Sequence, residues 1–289
     1  MIRDIFKAMR PRQWTKNGFI FAALVFDRKL LDLPSLEHTI ATFFLFCLLS
    51  SSVYLLNDLM DIEVDRNHPI KKNRPIASGR LPIRIALLSG ILLFLISLSG
   101  AYFLSFGLIL IFLIYFFLNI AYSKWLKHIP IIDVLVIAAC FVLRVIAGVS
   151  VIAVQRFSPW LYIVMTLLAL YLGFGKRRAE MTVIGLDHST SHRKVLSGYS
   201  VEFIDQLITI VSSTTIIAYS LYTFSAVNLP ANHTMMLTIP FVLYGVFRYL
   251  YLIQIKKSGG EPEELLLRDR PLQITILLWA ISIVIIFYI

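Results

Sequence analysis

Charge is scarce in this sequence. Asp, Glu, Lys and Arg supply 15% of its 289 residues against 58% hydrophobic, with a mean hydropathy of +0.79. That excludes an ordinary soluble domain, where roughly a quarter of residues are charged. Acids are the rarer sign, 17 Asp and Glu against 27 Lys and Arg. Cysteine is nearly absent: Cys47 and Cys140 lie inside apolar runs without metal-ligand spacing. Neither a zinc site nor a disulfide framework is indicated, and both read as small core hydrophobes. The basic start, Met1 to Arg12, lacks the short apolar segment and small-residue cleavage site of a secretory signal, so it is expected to remain on the mature protein. The period-two alternation of a membrane β-barrel is also missing.

What the sequence does have is length of apolar run. The runs extend over roughly 18–25 residues, enough for an α-helix to cross ~30 Å of hydrocarbon. Backbone polar groups cannot go unpaired in lipid, so runs of this kind must be helical. The expected fold is an all-α polytopic membrane bundle. Nine transmembrane helices are expected, at 14–33, 36–62, 82–104, 106–124, 130–153, 158–178, 200–225, 234–256 and 271–289. The first is the weakest, because Asp27, Arg28 and Lys29 interrupt it. Lys and Arg gather in cytoplasmic loops, and this scheme puts nearly all of them on the amino-terminal side. Only Arg28, Lys29 and Arg156 fall opposite, with Arg144 and Arg248 inside spans. The amino terminus and the charged loops beside it are therefore expected to face the cytoplasm, in the cytoplasmic membrane.

A formal charge of +10 does not point to nucleic acid, since the basic residues are divided among loops rather than gathered in one domain. Anionic headgroups of the bilayer account for many of them. The acids are more telling. Span two ends in Asn57-Asp58-Leu59-Met60-Asp61-Ile62-Glu63-Val64-Asp65. On a continuous helix Asn57, Asp58, Asp61 and Asp65 share an arc of about 100°, with Glu63 pointing away. Like charges this close need a cation, and hard oxygen ligands favour Mg²⁺, which commonly bridges carboxylates to substrate phosphates. The loop that follows carries Arg66, His68, Lys71, Lys72, Arg74 and Arg80, strong phosphate-binding groups directly after the acids. The pairing reads as a magnesium–diphosphate site; solvated acids at a helix end are the competing account. His68, beside Pro69, reads as a solvated loop histidine.

These residues resemble the UbiA-type intramembrane prenyltransferase superfamily, whose members carry N-D-x-x-D-x-x-x-D after the second of nine helices. Asn57, Asp58, Asp61 and Asp65 match it in full. Arg74-Pro75-Ile76-Ala77-Ser78-Gly79, and Tyr122-Ser123 followed by Lys124 and Lys127, are similar to that superfamily as well. The helix count extends the likeness along the chain, so residues 1–289 read as one UbiA-like transmembrane domain. The superfamily's second aspartate-rich motif is replaced here by Gly175-Lys176-Arg177-Arg178-Ala179-Glu180, which would give a substrate with more phosphate groups extra counter-charges. That departure, with Arg10 to Asn17, Arg66 to Gly79, Gly173 to Glu180, Gly260 to Pro262 and Leu267 to Pro271, resembles the branch of decaprenyl-phosphate phosphoribosyltransferases.

The resemblance implies a Mg²⁺-dependent transfer of 5-phosphoribosyl from phosphoribosyl diphosphate (PRPP) to a polyprenyl phosphate. In that reading Asp58, Asp61 and Asp65 are catalytic and, with Asn57, hold the metal. Lys16, Asn17, Lys71, Arg74, Lys124, Lys176, Arg177 and Arg193 are candidates for substrate. A Lys176–Glu180 ion pair competes for Lys176, being one turn apart. Asp133 is a candidate for a ribose hydroxyl or a cation. Arg144, three turns further along that helix, needs a partner inside a span, either the lipid phosphate or a structural one. Tyr122 and Tyr199 are further candidates, although interfacial tyrosines commonly anchor helices. Two alternatives stand beside this reading. One is an aromatic prenyltransferase using a polyprenyl diphosphate and a 4-hydroxybenzoate-type acceptor. The other is a transporter of a phosphorylated metabolite, which a one-sided charge cluster fits poorly.

Overall fold

The computed structural model describes residues 1–69, 71–152, 159–184, 194–226, 229–230, 232–256, 265 and 268–288. Among them every regular element is helical, and eight helices are long and apolar enough to cross a membrane. The expected first span is the exception. Residues Pro11–Ile20 wind as a 3₁₀ helix and Phe21–Phe26 as a short α-helix. Polar residues explain the difference: Asn17 is fully buried among side-chain partners, so this segment packs through hydrogen bonds instead of presenting an apolar cylinder.

The chain divides into two compact units, Met1–Lys127 with Leu143–Gln155, and His128–Val142 with Arg156–Ile289. The first unit contains α1 (Ile2–Ala8), α2 (Phe21–Phe26), α3 (Leu33–Met60), α4 (Ile62–Arg66), α5 (Ile83–Leu104) and α6 (Phe106–Lys124). Helix α3 starts where Asp32 accepts the Ser35 N–H at 3.2 Å, an N-cap that satisfies a free donor of the first turn. It is the central helix, packing chiefly against α5 and also against α6 and the 3₁₀ segment. Its buried Phe46 meets Phe112 and Tyr115 edge-on, at centroid distances of 5.3 and 4.7 Å. Its serines tie it to neighbours: Ser52 donates to the Gly90 carbonyl of α5 and Ser51 accepts from Trp14 Nε1. Interhelical hydrogen bonds of this kind matter where lipid offers no hydrophobic drive between helices. Helices α5 and α6 leave Leu88, Leu92, Phe103, Phe106 and Phe117 exposed, which suits a lipid-facing surface.

Helix α7 (Ile132–Val149) belongs to both units, changing at Val142–Leu143. The second unit also holds α8 (Pro159–Ile184), α9 (Val201–Ser225), α10 (Ile239–Gln254) and α11 (Arg270–Tyr288). Its core gathers Val134, Tyr171, Phe174, Tyr199, Ile204, Ile208 and Tyr249. Polar groups inside it are paired, as burial requires: Tyr171 donates to the Val246 carbonyl, and Trp279 Nε1 donates to Tyr219 Oη. Asp269 accepts the Leu272 N–H in the first turn of α11 and pairs with Arg248 through both oxygens, at 3.1 and 2.8 Å. That guanidinium and capping bond hold the Asp269 carboxyl below the usual carboxylate range.

Candidate active site

The acidic motif closes α3, but the helix does not run through it. Helix α3 ends at Met60, Asp61 takes a non-helical conformation (φ −97°, ψ 12°), and α4 restarts at Ile62. The shared arc expected of a continuous helix is therefore split. Asp58 and Asp65 converge: Arg74 Nη1 lies 3.0 Å from Asp58 Oδ1 and 2.6 Å from Asp65 Oδ2. Asp61 turns to Lys127 Nζ at 3.0 Å, and Asn57 Oδ1 accepts from Ser123 Oγ at 2.7 Å. Glu63 is exposed and pairs with Arg66, away from the group.

The loop after α4 positions Arg74 from below. Ile76 and Leu81, each 1% exposed, sink into a cluster with Ala8, Leu55 and Ala86. Gly79, at φ 77°, makes the left-handed turn that brings the chain back, a conformation glycine adopts without steric cost. With that anchor fixed, Arg74 reaches both sealed carboxylates. Lys71 stands half-buried nearby and its backbone N–H donates to His68 Nδ1. Burial and the Lys71 charge hold His68 below the ordinary imidazole value, against the opposing pull of Asp65.

Sequence reasoning did not nominate Arg10, and the structure places it at the centre. Its Nη2 reaches Asp58 Oδ1 at 2.5 Å and its guanidinium lies over the Tyr54 ring, 5.0 Å from the centroid. The only signal was its place at the head of the Arg10–Asn17 segment, since its partner is 48 positions away. Lys127 and Ser123 belonged to a quoted motif without an assigned role.

These groups bear on a metal in a specific way. Among the described residues no set of three or more His, Cys, Asp or Glu side chains is close enough to hold one unaided. Two carboxylates nevertheless meet at one point. Asp58 is 2% exposed, and its Oδ2 is buried with no hydrogen-bond partner. A buried carboxylate oxygen left unsatisfied is costly. The set fits Mg²⁺ bound by one or two carboxylates and completed by water and substrate phosphate.

The other nominated residues fall elsewhere. Asn17 donates to Cys47 Sγ and Ser50 Oγ, and its Oδ1 accepts from Arg144 Nε at 2.8 Å. Arg144, buried, also donates to Tyr115 Oη and stacks on the rings of Phe46 and Tyr115. In the second unit Asp133, Arg177 and Tyr199 form one sealed cluster. Arg177 Nε donates to Asp133 Oδ2 at 2.6 Å, Arg177 Nη1 to Glu180 Oε2 at 2.6 Å, and Tyr199 Oη to Asp133 Oδ1 at 2.8 Å. Glu180 thus pairs with Arg177, and Arg178 pairs with Asp205. Burial raises the Tyr199 phenol above its ordinary value. Lys16, Tyr122 and Lys176 are half-buried, Lys124 is exposed beside Trp125, and Arg193 lies outside the described residues.

The sequence matches the model of the UbiA prenyltransferase family over residues 19–267. It is 31% identical to decaprenyl-phosphate phosphoribosyltransferase of Mycobacterium tuberculosis, over 98% of this chain and 94% of that protein. It is 32% identical to the protein of that name from Mycolicibacterium smegmatis, over 96% and 91%. A UbiA homologue from Archaeoglobus fulgidus, solved bound to GPP and Mg²⁺, shares the fold with a TM-score of 0.74 at 20% identity, over 99% of this chain and 100% of that one. The chain belongs to the UbiA prenyltransferase family.

Proposed function

We propose that this protein transfers a 5-phosphoribosyl group from phosphoribosyl diphosphate to a polyprenyl phosphate of the decaprenyl type, releasing diphosphate, with Mg²⁺ at Asp58 and Asp65 and with Asp61 as the third carboxylate of the site. The observation that carries the reading is the meeting of the sealed Asp58 and Asp65 carboxylates at Arg10 and Arg74, with Asp58 Oδ2 buried and unpartnered and Asp61 paired with Lys127. The nearly full-length relatives named decaprenyl-phosphate phosphoribosyltransferase support the choice of donor and acceptor.

A phosphate oxygen of the lipid attacks the anomeric carbon of the ribose as the bond from that carbon to the diphosphate oxygen breaks. The leaving diphosphate takes the electron pair. The attacking oxygen is already anionic, so no strong general base is required. Bound Mg²⁺ would neutralise the charge that develops on the diphosphate. Asp58 and Asp65 would orient it, and Arg74, Lys71, Lys127 and Lys16 offer donors to phosphate oxygens. Positioning two anions against one another supplies much of the rate in such a site.

The topology that accompanies this reading has nine crossings, the first being the short segment 14–33, with the amino terminus and the active site at the cytoplasmic face of the cytoplasmic membrane. The sidedness of Lys and Arg supports it. The family match, which runs through residues of both units, supports treating 1–289 as one functional domain.

The test is a transfer assay in membranes containing this protein. Labelled phosphoribosyl diphosphate, a polyprenyl phosphate and Mg²⁺ are compared with a polyprenyl diphosphate and 4-hydroxybenzoate. Label moving into the lipid phase is the expected result. Prenylation of the aromatic acid alone would overturn the donor assignment and leave the fold and metal reading in place.

A further inference from the structure

The acids of the site are matched by cations in number as well as position. Asp58 takes Arg10 and Arg74, Asp65 takes Arg74, and Asp61 takes Lys127. The six groups sum to zero. They are also layered. The Asp58 and Asp65 side chains are 2% and 3% exposed, whereas those of Arg10 and Arg74 are 27% and 26% exposed. Arg10 and Arg74 form an outer layer over Asp58 and Asp65, from which each can swing to an incoming anion, while the partly exposed Asp61 and Lys127 pair lies open beside them at 27% and 18%. Arg10 stands at a strained point of the chain. It follows α1 in a left-handed conformation (φ 54°, ψ 61°), which L side chains adopt at a cost, and its head is held by Asp58 and the face of Tyr54.

We infer that Arg10, with Arg74 and Lys127, serves as an exchangeable counter-cation that makes divalent-metal binding conditional on diphosphate. A metal ion arriving alone meets a neutralised cluster and must push a guanidinium off its carboxylate into water. Arriving with diphosphate, it leaves the displaced cations facing phosphate oxygens, to which guanidinium binds well. Coupling of this kind is reciprocal, so the metal strengthens diphosphate binding by the same factor. The inference rests on the proposed metal–diphosphate site and adds a role for Arg10 and an order to what binds.

The experiment measures Mn²⁺ bound to the purified full-length protein by equilibrium dialysis at fixed free Mn²⁺, with and without inorganic diphosphate. The wild type is expected to bind Mn²⁺ roughly tenfold more tightly with diphosphate, within the usual range of coupling between sites. Arg10→Ala should tighten binding of Mn²⁺ alone and shrink the diphosphate enhancement, and Arg10→Lys should restore the wild-type pattern. Lys127→Ala, which frees a different carboxylate, should act in the same direction and provides the same test where Arg10→Ala does not fold. Equal Mn²⁺ affinity with and without diphosphate overturns this inference alone. So does a loss of Mn²⁺ binding in folded Arg10→Ala without diphosphate. Absence of bound Mn²⁺ under both conditions removes the metal site beneath it as well.

Discussion

Arg177 Nε donates to Asp133 Oδ2 at 2.6 Å, and the two side chains are 1% and 0% exposed. An arginine in that position neutralises a carboxylate that neither water nor lipid reaches. Tyr199 completes the arrangement by donating to Asp133 Oδ1 while its oxygen accepts the N–H of Ile131, a β-branched residue in the left-handed region (φ 68°). The cluster thus fixes the strained entry to α7.

Removing one member of a buried pair leaves the other uncompensated, at a cost of about 3–5 kcal/mol. Arg177→Met is therefore expected to lower the thermal midpoint of the detergent-solubilised protein markedly. If Arg177 contacted phosphate instead, the substitution would raise the apparent KM for phosphoribosyl diphosphate and leave the midpoint near the wild-type value.

Much of this was legible in the sequence, and the boundary is physical. Eight of the nine expected spans correspond to long helices because apolar run length alone dictates them. The acidic motif was found by spacing, but the wheel assumed one continuous helix, and a break at Asp61 depends on contacts that periodicity does not encode. Pairings across distance were hidden altogether. Arg10 and Asp58 lie 48 positions apart, Asn17 and Arg144 127 apart. Polar residues in spans invite a ligand reading because burial is expensive without a partner, and for Arg144 a structural partner stands as the equal alternative; for Asp133, Arg177, Arg144 and Asn17 the structure supplies partners from within the protein.

Asp61 separates activity from stability. Its side chain is 27% exposed and pairs with Lys127, a partly exposed contact worth at most about 1 kcal/mol. Asp61→Asn should leave the thermal midpoint almost unchanged while Mg²⁺-dependent transfer falls on the order of a hundredfold or more, as expected when charge stabilisation of a leaving group is lost. Substantial transfer by this variant would remove the carboxylate from the mechanism.

Asp269 predicts an acid limb of stability. Its carboxyl is held below the ordinary range by Arg248 and by the cap on α11. A depressed folded value means that the contribution is fully present above the unfolded value of about 3.9 and disappears as pH falls through the folded one. Thermal midpoints of wild type and Asp269→Asn should differ at pH 7 and converge as the pH is lowered below 4. A gap that persists unchanged into strong acid would show that the ionised carboxylate is not its source.

A close backbone approach in the first unit turns on a glycine. Gly148 of α7 faces the end of the 3₁₀ segment, where an added Cβ would fall on the Ile20 carbonyl oxygen, with the Ile20 carbonyl carbon 3.0 Å away. Backbone cannot rotate aside as a side chain can, so Gly148→Ala must push the segment off α7. Asn17 sits three residues before Ile20, and Arg144 one turn before Gly148, so the same displacement pulls on their 2.8 Å hydrogen bond. Overpacking of this kind costs typically about 1–3 kcal/mol. Gly245 provides the contrast: it lies within α10, and nothing stands within 4 Å of its added Cβ. There, alanine should stabilise by about 0.5–1 kcal/mol through helix propensity. Thermal midpoints that move in opposite directions for the two variants would establish that the close approach, and not glycine's flexibility, is what Gly148 provides; a rise for both would refute it.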